Sequence, residues 1–339
     1  MLSSYIVKKN LGSLIFVLLF VLFIVVSYIY IPSSVKTLHN KVNQSNPLNL
    51  NTDRWNLIKE YGNFLAEKLP ENNPALYFYW FSNQRKLSDL RVKKAIEEIK
   101  NTEVETNKIK IWSLLNMGII IKTNQQTIAI DTANLPFSQA HNELTNIVDI
   151  FLVSHMDGDH YDPSLLKKAL GQNKNIVFLD GFIFTGNKPS NTFNLLSGEA
   201  KDINGVKITA YQTNHRGDGN FKEPNAWFMV EVEGFKLLHT GDGRDFKNKQ
   251  QSQEVYAMKD FDILLGNSNA LSTLHPYNIR DLKPKVLIPL HLFKFMSGKD
   301  LYQESTIEAV SNTYEQYAKD LQGIEKVYLL PGESFVYTK

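Results

Sequence analysis

The sequence contains no cysteine, and this absence excludes several kinds of site at once. Disulfide frameworks, thiolate zinc sites, cysteine nucleophiles and lipidated cysteine anchors all need a thiol. Any metal site in the chain must therefore use histidine, aspartate or glutamate. An excess of charge is also missing, because 37 Lys and Arg face 35 Asp and Glu. Nucleic acid is therefore not an expected partner, since proteins that bind it usually present a basic run or face.

Internal repeats and low-complexity tracts are absent as well, so the chain is expected to form ordinary globular structure. Its 339 residues, 43% of them apolar, suffice for one large domain or two small ones, with a sizeable buried core. The pattern along the chain divides it into three parts, namely residues 1–32, 33–107 and 108–339.

Residues 1–32 are predicted to form a membrane anchor. The run LGSLIFVLLFVLFIVVSYIYI, residues 11–31, has no charge, and about 20 residues of helix cross the roughly 30 Å hydrocarbon core of a bilayer. Lys8 and Lys9 precede the run, which predicts a single pass with the N-terminus inside and the following domain outside the cytoplasm. A cleavable signal peptide is the alternative, but its apolar core is usually about 7–15 residues long and ends at a small-residue cleavage site.

Residues 33–107 are predicted to form a linker and a helical lead-in. The segment 33–50 is polar, with several Asn and Ser, and is typical of a linker. DRWNLIKEYGNFLAEKL and SDLRVKKAIEEIKN show helical periodicity. Between them, ALYFYWF predicts a helix or strand packed on the main domain, with a face that touches lipid or covers a pocket as the alternative.

Residues 108–339 carry short β-branched or alternating segments, which predict many short strands. The first are KIKIWSL, GIIIKT and QTIAIDT, and the last is KVYLLPG. PSLLKKAL predicts a helix with Asp162 as its N-cap and Pro163 at its first position. TIEAVSNTYEQYAKDL predicts a second, amphipathic helix near the C-terminus.

Histidine and aspartate recur where these predicted strands end. HMDGDH, residues 155–160, follows IVDIFLVS; His215 follows KITAYQT; Asp242 follows FKLLHTG; and His291 ends PKVLIPLH. Strand ends on one edge of a sheet are where ligands converge in layered α/β folds. A single buried histidine is commonly just a hydrogen-bonded core residue. Recurrence at four strand ends instead indicates a metal site.

In this order the segments resemble the metallo-β-lactamase superfamily. Its signature is H-x-H-x-D-H after a strand, then a lone His, a G-D or equivalent Asp and a last His, which here stand as HMDGDH, TNHRGDG, HTGDG and IPLHLF. The opening hairpin LLNMGIIIKTNQQTIAIDT, together with FDILLGN and KPKVLIPLHLF, resembles the branch that includes ascorbate-6-phosphate lactonases and N-acyl-phosphatidylethanolamine phospholipases. The resemblance covers about residues 108–339. It implies an α/β fold, an αββα sandwich with the site at one edge of its two sheets.

The resemblance also implies a ligand set for two divalent ions. The first ion would be held by His155, Asp157 and His215, and the second by Asp159, His160 and His291, with Asp242 bridging the two. Zinc is the first expectation for both, with Mn²⁺ or Fe²⁺ as alternatives. A metal-bound hydroxide would be the nucleophile, and Asp159 would belong to the catalytic residues.

Asp157 departs from the superfamily pattern, which has histidine at this position. Three interpretations are open. Asp157 replaces the imidazole as a ligand, as in the hydrolase domains of DNA-uptake channel proteins; or the first site is weak and one metal suffices; or the protein has lost catalysis. The other six ligand positions are all present, which speaks against decay. A carboxylate is a harder donor than imidazole and should favour Mn²⁺ or Fe²⁺ more.

Further residues near the motifs are candidates for substrate contacts. His275 lies in a loop where the resemblance implies substrate-contacting groups, so it is a candidate general acid, with a plain surface histidine as the alternative. Arg216 and Arg244 adjoin motif residues and could bind a phosphate or carboxylate, or merely balance charge. Asn267, at the end of FDILLGN, is a further candidate for substrate binding.

Two more residues lie beside the motifs without belonging to the ligand set. Asp131 ends the opening hairpin and is expected in a turn or behind the ligands. His239 precedes TGD inside a strand, where a core position or a place behind the ligands is expected.

The function implied is a membrane-anchored, metal-dependent hydrolase of a phosphodiester, lactone or ester. The anchor suggests a small or lipid-like substrate from the membrane or cell envelope. One alternative is a non-catalytic envelope protein that keeps the fold for binding or assembly. A nuclease is another, suggested by Asp157, but the sequence lacks the basic patch that nucleic acid would need.

Overall fold

The structure is a computed structural model that describes residues 18, 30–49, 51–66, 74–133, 139–181, 189–215, 224–243, 246–267, 282–291 and 322–339. Within these ranges, no helix is both long and apolar enough to cross a bilayer. The predicted anchor over residues 11–31 lies almost entirely outside them, and so does the predicted helix TIEAVSNTYEQYAKDL.

In the part of the chain that the structure describes, fourteen strands form two mixed sheets. Along the chain they are β1 (Lys108–Ser113), β2 (Ile119–Lys122), β3 (Thr127–Ile130), β4 (Ile150–Val153), β5 (Asn175–Leu179), β6 (Thr192–Leu195), β7 (Ala200–Ile203), β8 (Val206–Asn214), β9 (Pro224–Val232), β10 (Phe235–His239), β11 (Ile263–Asn267), β12 (Val286–Leu290), β13 (Glu325–Lys326) and β14 (Ser334–Thr338). The first sheet has the order β14-β1-β2-β3-β4-β5-β6 and the second β13-β12-β11-β10-β9-β8-β7. Each sheet is antiparallel on one side and parallel on the other.

The second sheet is buried on both faces, as strand β9 shows. Ala226, Phe228 and Val230 belong to the apolar cluster shared with the first sheet. Trp227 and Met229 belong to a separate cluster shared with the N-terminal helices. This division follows from the two-residue period of a strand, which points successive side chains to opposite faces. One face therefore builds the core between the sheets, and the other needs a cover of helices.

The helices supply that cover. They are α1 (Ser33–Gln44), α2 (Thr52–Ala66), α3 (Pro74–Asn101), α4 (Leu144–Ile147), preceded by a 3₁₀ turn (Gln139–Glu143), α5 (Pro163–Gly171) and α6 (Lys249–Ala257). Helices α1 and α2 share the outer cluster of the second sheet, and α5 contacts β5 of the first. The layers are therefore helix, sheet, sheet, helix, which confirms the predicted sandwich. The Asp162 side chain accepts from the backbone N–H of Ser164 and Leu165, which confirms it as the N-cap of α5.

The segment 33–50, expected to be a linker, begins instead with helix α1. Val35, Leu38 and Val42 are its buried side chains. Their spacing of three and four residues places them on one face of a helix. The polar residues that suggested a linker occupy the remaining faces. ALYFYWF, in turn, is part of the single 28-residue helix α3 rather than a separate element.

Two buried arginines, one on α2 and one on α3, donate hydrogen bonds to the C-terminal segment. The Arg54 guanidinium, 2% exposed, donates to Glu333 Oε1 at 2.8 Å and to the Tyr328 carbonyl at 2.6 Å. Arg91 Nε donates to the Pro331 carbonyl at 2.6 Å. The helical lead-in is therefore packed as part of the domain.

The C-terminal strands differ from the prediction. KVYLLPG was expected to be a strand, but the strand contains only Glu325–Lys326, and the next four residues are not in a strand, although the Val327 N–H still donates to the Leu287 carbonyl of β12 at 3.0 Å. The last strand is β14, SFVYT, which pairs antiparallel with β1.

Candidate metal centre

The histidine and aspartate side chains that follow strands of both sheets lie at one edge of the sandwich. Strands β10, β11 and β12 are mutually parallel, and β8 runs in the same direction because β9 is antiparallel to both β8 and β10. Their carboxyl ends therefore meet, which places His215, Asp242 and His291 together. The first sheet adds His155 and His160 from the loop that follows β4.

One half of the centre consists of His155, Asp157 and His215. Asp157 Oδ2 lies 3.6 Å from His155 Nε2 and 3.4 Å from His215 Nε2. Three such donor atoms within 4.8 Å of one another could hold a metal ion. A tetrahedral site with bonds of about 2.0–2.1 Å has its ligand atoms about 3.3–3.5 Å apart, so the spacing suits a first-row divalent ion.

The other half consists of Asp159, His160 and His291. Asp159 Oδ2 lies 3.6 Å from His160 Nε2 and 3.3 Å from His291 Nε2. These three atoms form a second group with metal-ligand spacing. The centre therefore contains two sets of two imidazoles and one carboxylate.

Asp242 stands between the two halves. Its Oδ2 lies 3.5 Å from His215 Nε2 and 3.8 Å from His291 Nε2, and its Oδ1 lies 3.5 Å from His160 Nε2. A single carboxylate is thus within reach of imidazoles from both halves. This is the place that a bridging ligand would occupy.

Glycines allow Asp242 to enter this crowded position. Gly241 has φ +49°, and a Cβ there would lie 2.7 Å from the Ser154 Cβ. A Cβ on Gly243 would lie 1.9 Å from Thr213 Oγ1. Glycine is therefore needed on both sides of Asp242, because any side chain would collide with the strand ends that carry the other ligands. The backbone N–H of Asp242 also donates to Asn225 Oδ1 at 3.2 Å.

One buried carboxylate sets the orientation of two of the histidines. Asp131 Oδ2 accepts from Ser154 Oγ at 2.6 Å and lies 2.9 Å from His160 Nδ1. Ser154 Oγ lies 3.0 Å from His155 Nδ1. Because the serine proton points to Asp131, its oxygen accepts from His155 Nδ1–H, and Asp131 accepts from His160 Nδ1–H. Both rings then turn a lone pair on Nε2 towards the centre, as metal binding requires.

The donor atoms fit divalent metal ions. His155 Nε2 and His160 Nε2 are buried and have no hydrogen-bond partner in the part of the chain that the structure describes. Burial opposes a charge on His160, yet Asp242 and Asp131 raise the pKa of this imidazole well above its usual value. Burial also opposes ionisation of Asp242, but His160 and His291 hold the pKa of that carboxyl well below normal. The ionised carboxylates are thus stabilised by positive charge in the centre, which metal cations would supply.

Comparison with known proteins agrees with this geometry. The family model for a beta-lactamase superfamily domain matches residues 116–291, just over half of the 339-residue chain. The chain belongs to the beta-lactamase superfamily. The match begins next to β2 and ends at His291, so it contains every residue of the centre described above.

Individual proteins are also similar to the chain in sequence. The chain is 26% identical over 148 residues to a UPF0173 metal-dependent hydrolase of Thermococcus onnurineus, covering 42% of this chain and 66% of that protein. It is 26% identical over 207 residues to a UPF0173 metal-dependent hydrolase of Pyrococcus furiosus, covering 59% and 86%. Among solved structures, CmlA, a diiron beta-hydroxylase from Streptomyces venezuelae, superposes with a TM-score of 0.50 at 10% identity, over 70% of this chain and 55% of that one. That likeness concerns the fold alone.

This superfamily member is a metal-dependent hydrolase with a His/Asp metal site. The structure brings all seven predicted ligand residues together, including Asp157 at the position where the superfamily pattern has histidine. The Asp157 side chain is 52% exposed, more than the other ligands. Its carboxylate nevertheless points to the two histidines of the first half, as a ligand would.

Of the four residues predicted to contact a substrate, the structure describes one. His275, Arg216 and Arg244 lie outside the described residues. Asn267 is described, but it is only 3% exposed and its amide donates to Asp242 Oδ1. The structure therefore gives Asn267 a contact within the centre, and its role in substrate binding stays a prediction.

Some residues of the centre were not identified from the sequence. Asn116, which belongs to none of the ligand motifs, donates to Asp159 Oδ2 at 3.4 Å. Ser154 links Asp131 to His155, and its only sequence signal is its place directly before the motif. His239 is fully buried, with Nδ1 accepting from the Gly241 N–H at 3.1 Å, in line with the expectation of a place behind the ligands.

Proposed function

We propose that the chain is a membrane-anchored hydrolase that acts outside the cytoplasm, holds two divalent ions and cleaves a phosphodiester, lactone or ester bond. The observation that supports it most is Asp242, whose oxygens lie within 3.8 Å of imidazoles from both halves of the centre. Two triads that share one carboxylate are the arrangement expected for a pair of ions with a common ligand. When bound, such ions lower the pKa of a coordinated water and polarise a carbonyl or phosphoryl oxygen.

The chain's own residues prepare the centre for that chemistry. Asp131 and Ser154 fix the proton on the far nitrogen of His160 and His155, so neither ring needs to turn when an ion arrives, and the ion takes the place of any proton that the carboxylates hold on His160 Nε2. Asp157 and Asp159 lie at the exposed side of the centre, whereas His160 and His291 form its buried floor. A substrate would therefore approach over the carboxylates. Zinc is our first proposal for the metal, with Mn²⁺ or Fe²⁺ favoured to the extent that Asp157 takes part.

A small or lipid-like substrate is proposed from the contacts of the described residues at the end of the predicted anchor. Ile31, at its end, packs against the outer cluster of the second sheet. Lys86 donates a hydrogen bond to the Tyr30 carbonyl. Helix α1 then begins at Ser33, so no free linker separates the predicted anchor from the domain. Such a domain would sit directly on the membrane surface, where a lipid-like substrate is within reach.

The anchor has its own test. Intact-mass measurement should find residues 11–31 in the mature protein, and protease treatment of whole cells should remove the domain. A mature chain that begins after Pro32 would refute the anchor, and a domain untouched by protease would refute the orientation.

Activity is tested on full-length protein purified in mild detergent and supplied with Zn²⁺ or Mn²⁺. Generic phosphodiester, lactone and ester substrates should reveal at least one metal-dependent hydrolysis that chelator abolishes. Asp242→Ala should lose that activity, whereas Asp260→Ala, an exposed aspartate near the start of β11, should keep it. Activity that survives Asp242→Ala, or that persists without metal, would overturn the proposal.

A further inference from the structure

Two amide side chains lie inside the centre without being metal-ligand types. Asn267 donates to Asp242 Oδ1, and Asn116 donates to Asp159 Oδ2 at 3.4 Å. Each amide thus contacts a different carboxylate of the centre. A neutral amide is a weak metal ligand beside imidazole and carboxylate, but its N–H is a good donor to a carboxylate oxygen.

Asn267 is held firmly in place. It ends β11, and its backbone N–H donates to Thr240 Oγ1 at 3.0 Å. The residue is 3% exposed, so packing leaves its side chain little freedom. The amide therefore presents its N–H to Asp242 from a fixed point on the second sheet.

That contact determines how Asp242 is turned. With Oδ1 bound by the Asn267 amide, Oδ2 faces His215 Nε2 at 3.5 Å and His291 Nε2 at 3.8 Å. A rotation of the carboxylate would draw Oδ2 away from one half or the other. We propose that Asn267 is a positioning residue that orients Asp242 so that both halves of the centre share it.

Asn116 provides a comparison on one half alone. Its side chain reaches Asp159, and its carbonyl accepts from the His291 N–H at 3.1 Å. Asp159 approaches only His160 and His291 among the described histidines. Loss of the Asn116 amide should therefore affect one ion, whereas loss of the Asn267 amide should affect both. This difference separates an effect on the shared carboxylate from a general weakening.

The inference rests on the two-ion centre of the proposed function, but it requires no catalysis. The test measures the dissociation constants of Zn²⁺ and Mn²⁺ by chelator competition on full-length protein. Asn267→Leu, similar in size but without a donor, should weaken both ions by about 10–100-fold, the usual effect of removing a partner behind a ligand. Asn116→Leu should weaken one ion and leave the other unchanged. The visible spectrum of Co²⁺-loaded protein should change in Asn267→Leu, because the coordination geometry changes.

Leu265→Ala is the structural control. Leu265 lies two residues earlier on β11, is fully buried and belongs to the core between the sheets. Its truncation should lower stability through a cavity but leave both metal affinities and the Co²⁺ spectrum as in the parent. If Asn267→Leu does not fold, Asn267→Ala also removes the donor with a smaller side chain, and the same loss of both ions is expected.

Unchanged affinity for both ions in a folded Asn267 variant would overturn the inference. So would a loss no greater than that in Leu265→Ala. These outcomes differ from failure of the proposed function, which would show as a parent protein that binds one ion only, or that binds two and hydrolyses none of the substrates.

Discussion

Replacement of Asp131 by asparagine tests the hydrogen-bond chain behind the ligands. In the parent, Asp131 Oδ1 accepts from the Ser154 N–H at 2.7 Å, while Oδ2 serves both Ser154 Oγ and His160 Nδ1. Asparagine can keep the first contact through its oxygen. Its NH₂ group then faces Ser154 Oγ–H and His160 Nδ1–H, and it cannot accept a hydrogen bond from either donor.

The magnitude follows from how these donors respond. If they stay as they are, each buried donor without an acceptor costs about 1–3 kcal/mol of stability. If His160 shifts its proton to Nε2 instead, the nitrogen that faces Asp242 and Asp159 can no longer bind a metal. Ser154 can also rotate and release His155. We therefore expect a metal affinity about 10–100-fold weaker for at least one ion, together with a stability loss of about 1–3 kcal/mol.

The assay is chelator competition for the metal and urea unfolding of the metal-free protein for stability. Asp262→Asn is the matched control, because Asp262 is also fully buried and accepts from the Lys236 N–H at 2.9 Å, but it contacts lysines instead of histidines. It should lose stability and keep its metal affinity. Parent-like affinity in Asp131→Asn, or an equal loss in Asp262→Asn, would refute the reasoning.

Three further results are expected. Arg54→Met should destabilise the protein by about 3–5 kcal/mol in urea unfolding, because it leaves the buried Glu333 carboxylate unpaired. Lys41→Met breaks an exposed ion pair and should cost less than about 1 kcal/mol of stability. Equal losses of stability in the two variants would contradict this expectation. Asp157→His should keep two ions and shift the metal preference from Mn²⁺ towards Zn²⁺ in competition, and an unchanged preference would count against Asp157 as a ligand. Burial lowers the pKa of His141 to about 4 from 6.5, so protonation favours the unfolded chain: stability is complete above pH 6.5 and falls towards pH 4, by about 2 kcal/mol at pH 5 relative to pH 8. His141→Leu should remove that part of the pH dependence, and an unchanged dependence would show that the histidine is not buried neutral.

The sequence located His and Asp residues near strand ends because that signal is local, and the ligand set itself followed from the resemblance to the metallo-β-lactamase superfamily. The ligands stand just after strands with strong β-branched or apolar character or in the short motif that follows β4, so strand ends and candidate ligands could be located together. The same holds for the N-cap Asp162, whose partners lie within three residues.

Contacts between distant segments could not be predicted in this way. Asn116 and Asn267 stand at ordinary turn and strand-end positions, and only the meeting of the two sheets brings them to Asp159 and Asp242. Helix α1 was missed because only three of its twelve residues are buried, and the polar majority dominated the pattern. The strands β6 and β7 were missed because they lie at sheet edges, where a strand needs little apolar character.

The central claim is that Asp157 completes a two-ion centre, and the metal content of two variants tests it most directly. Parent, Asp157→Ala and His215→Ala proteins are purified in parallel in metal-supplemented buffer, and bound metal is measured per folded chain. Because Asp157 Oδ2 and His215 Nε2 lie 3.4 Å apart in the same half, both variants should lose the same ion. We expect two ions in the parent and one in each variant. Two ions retained in Asp157→Ala beside one in His215→Ala would exclude Asp157 as a ligand and contradict the account.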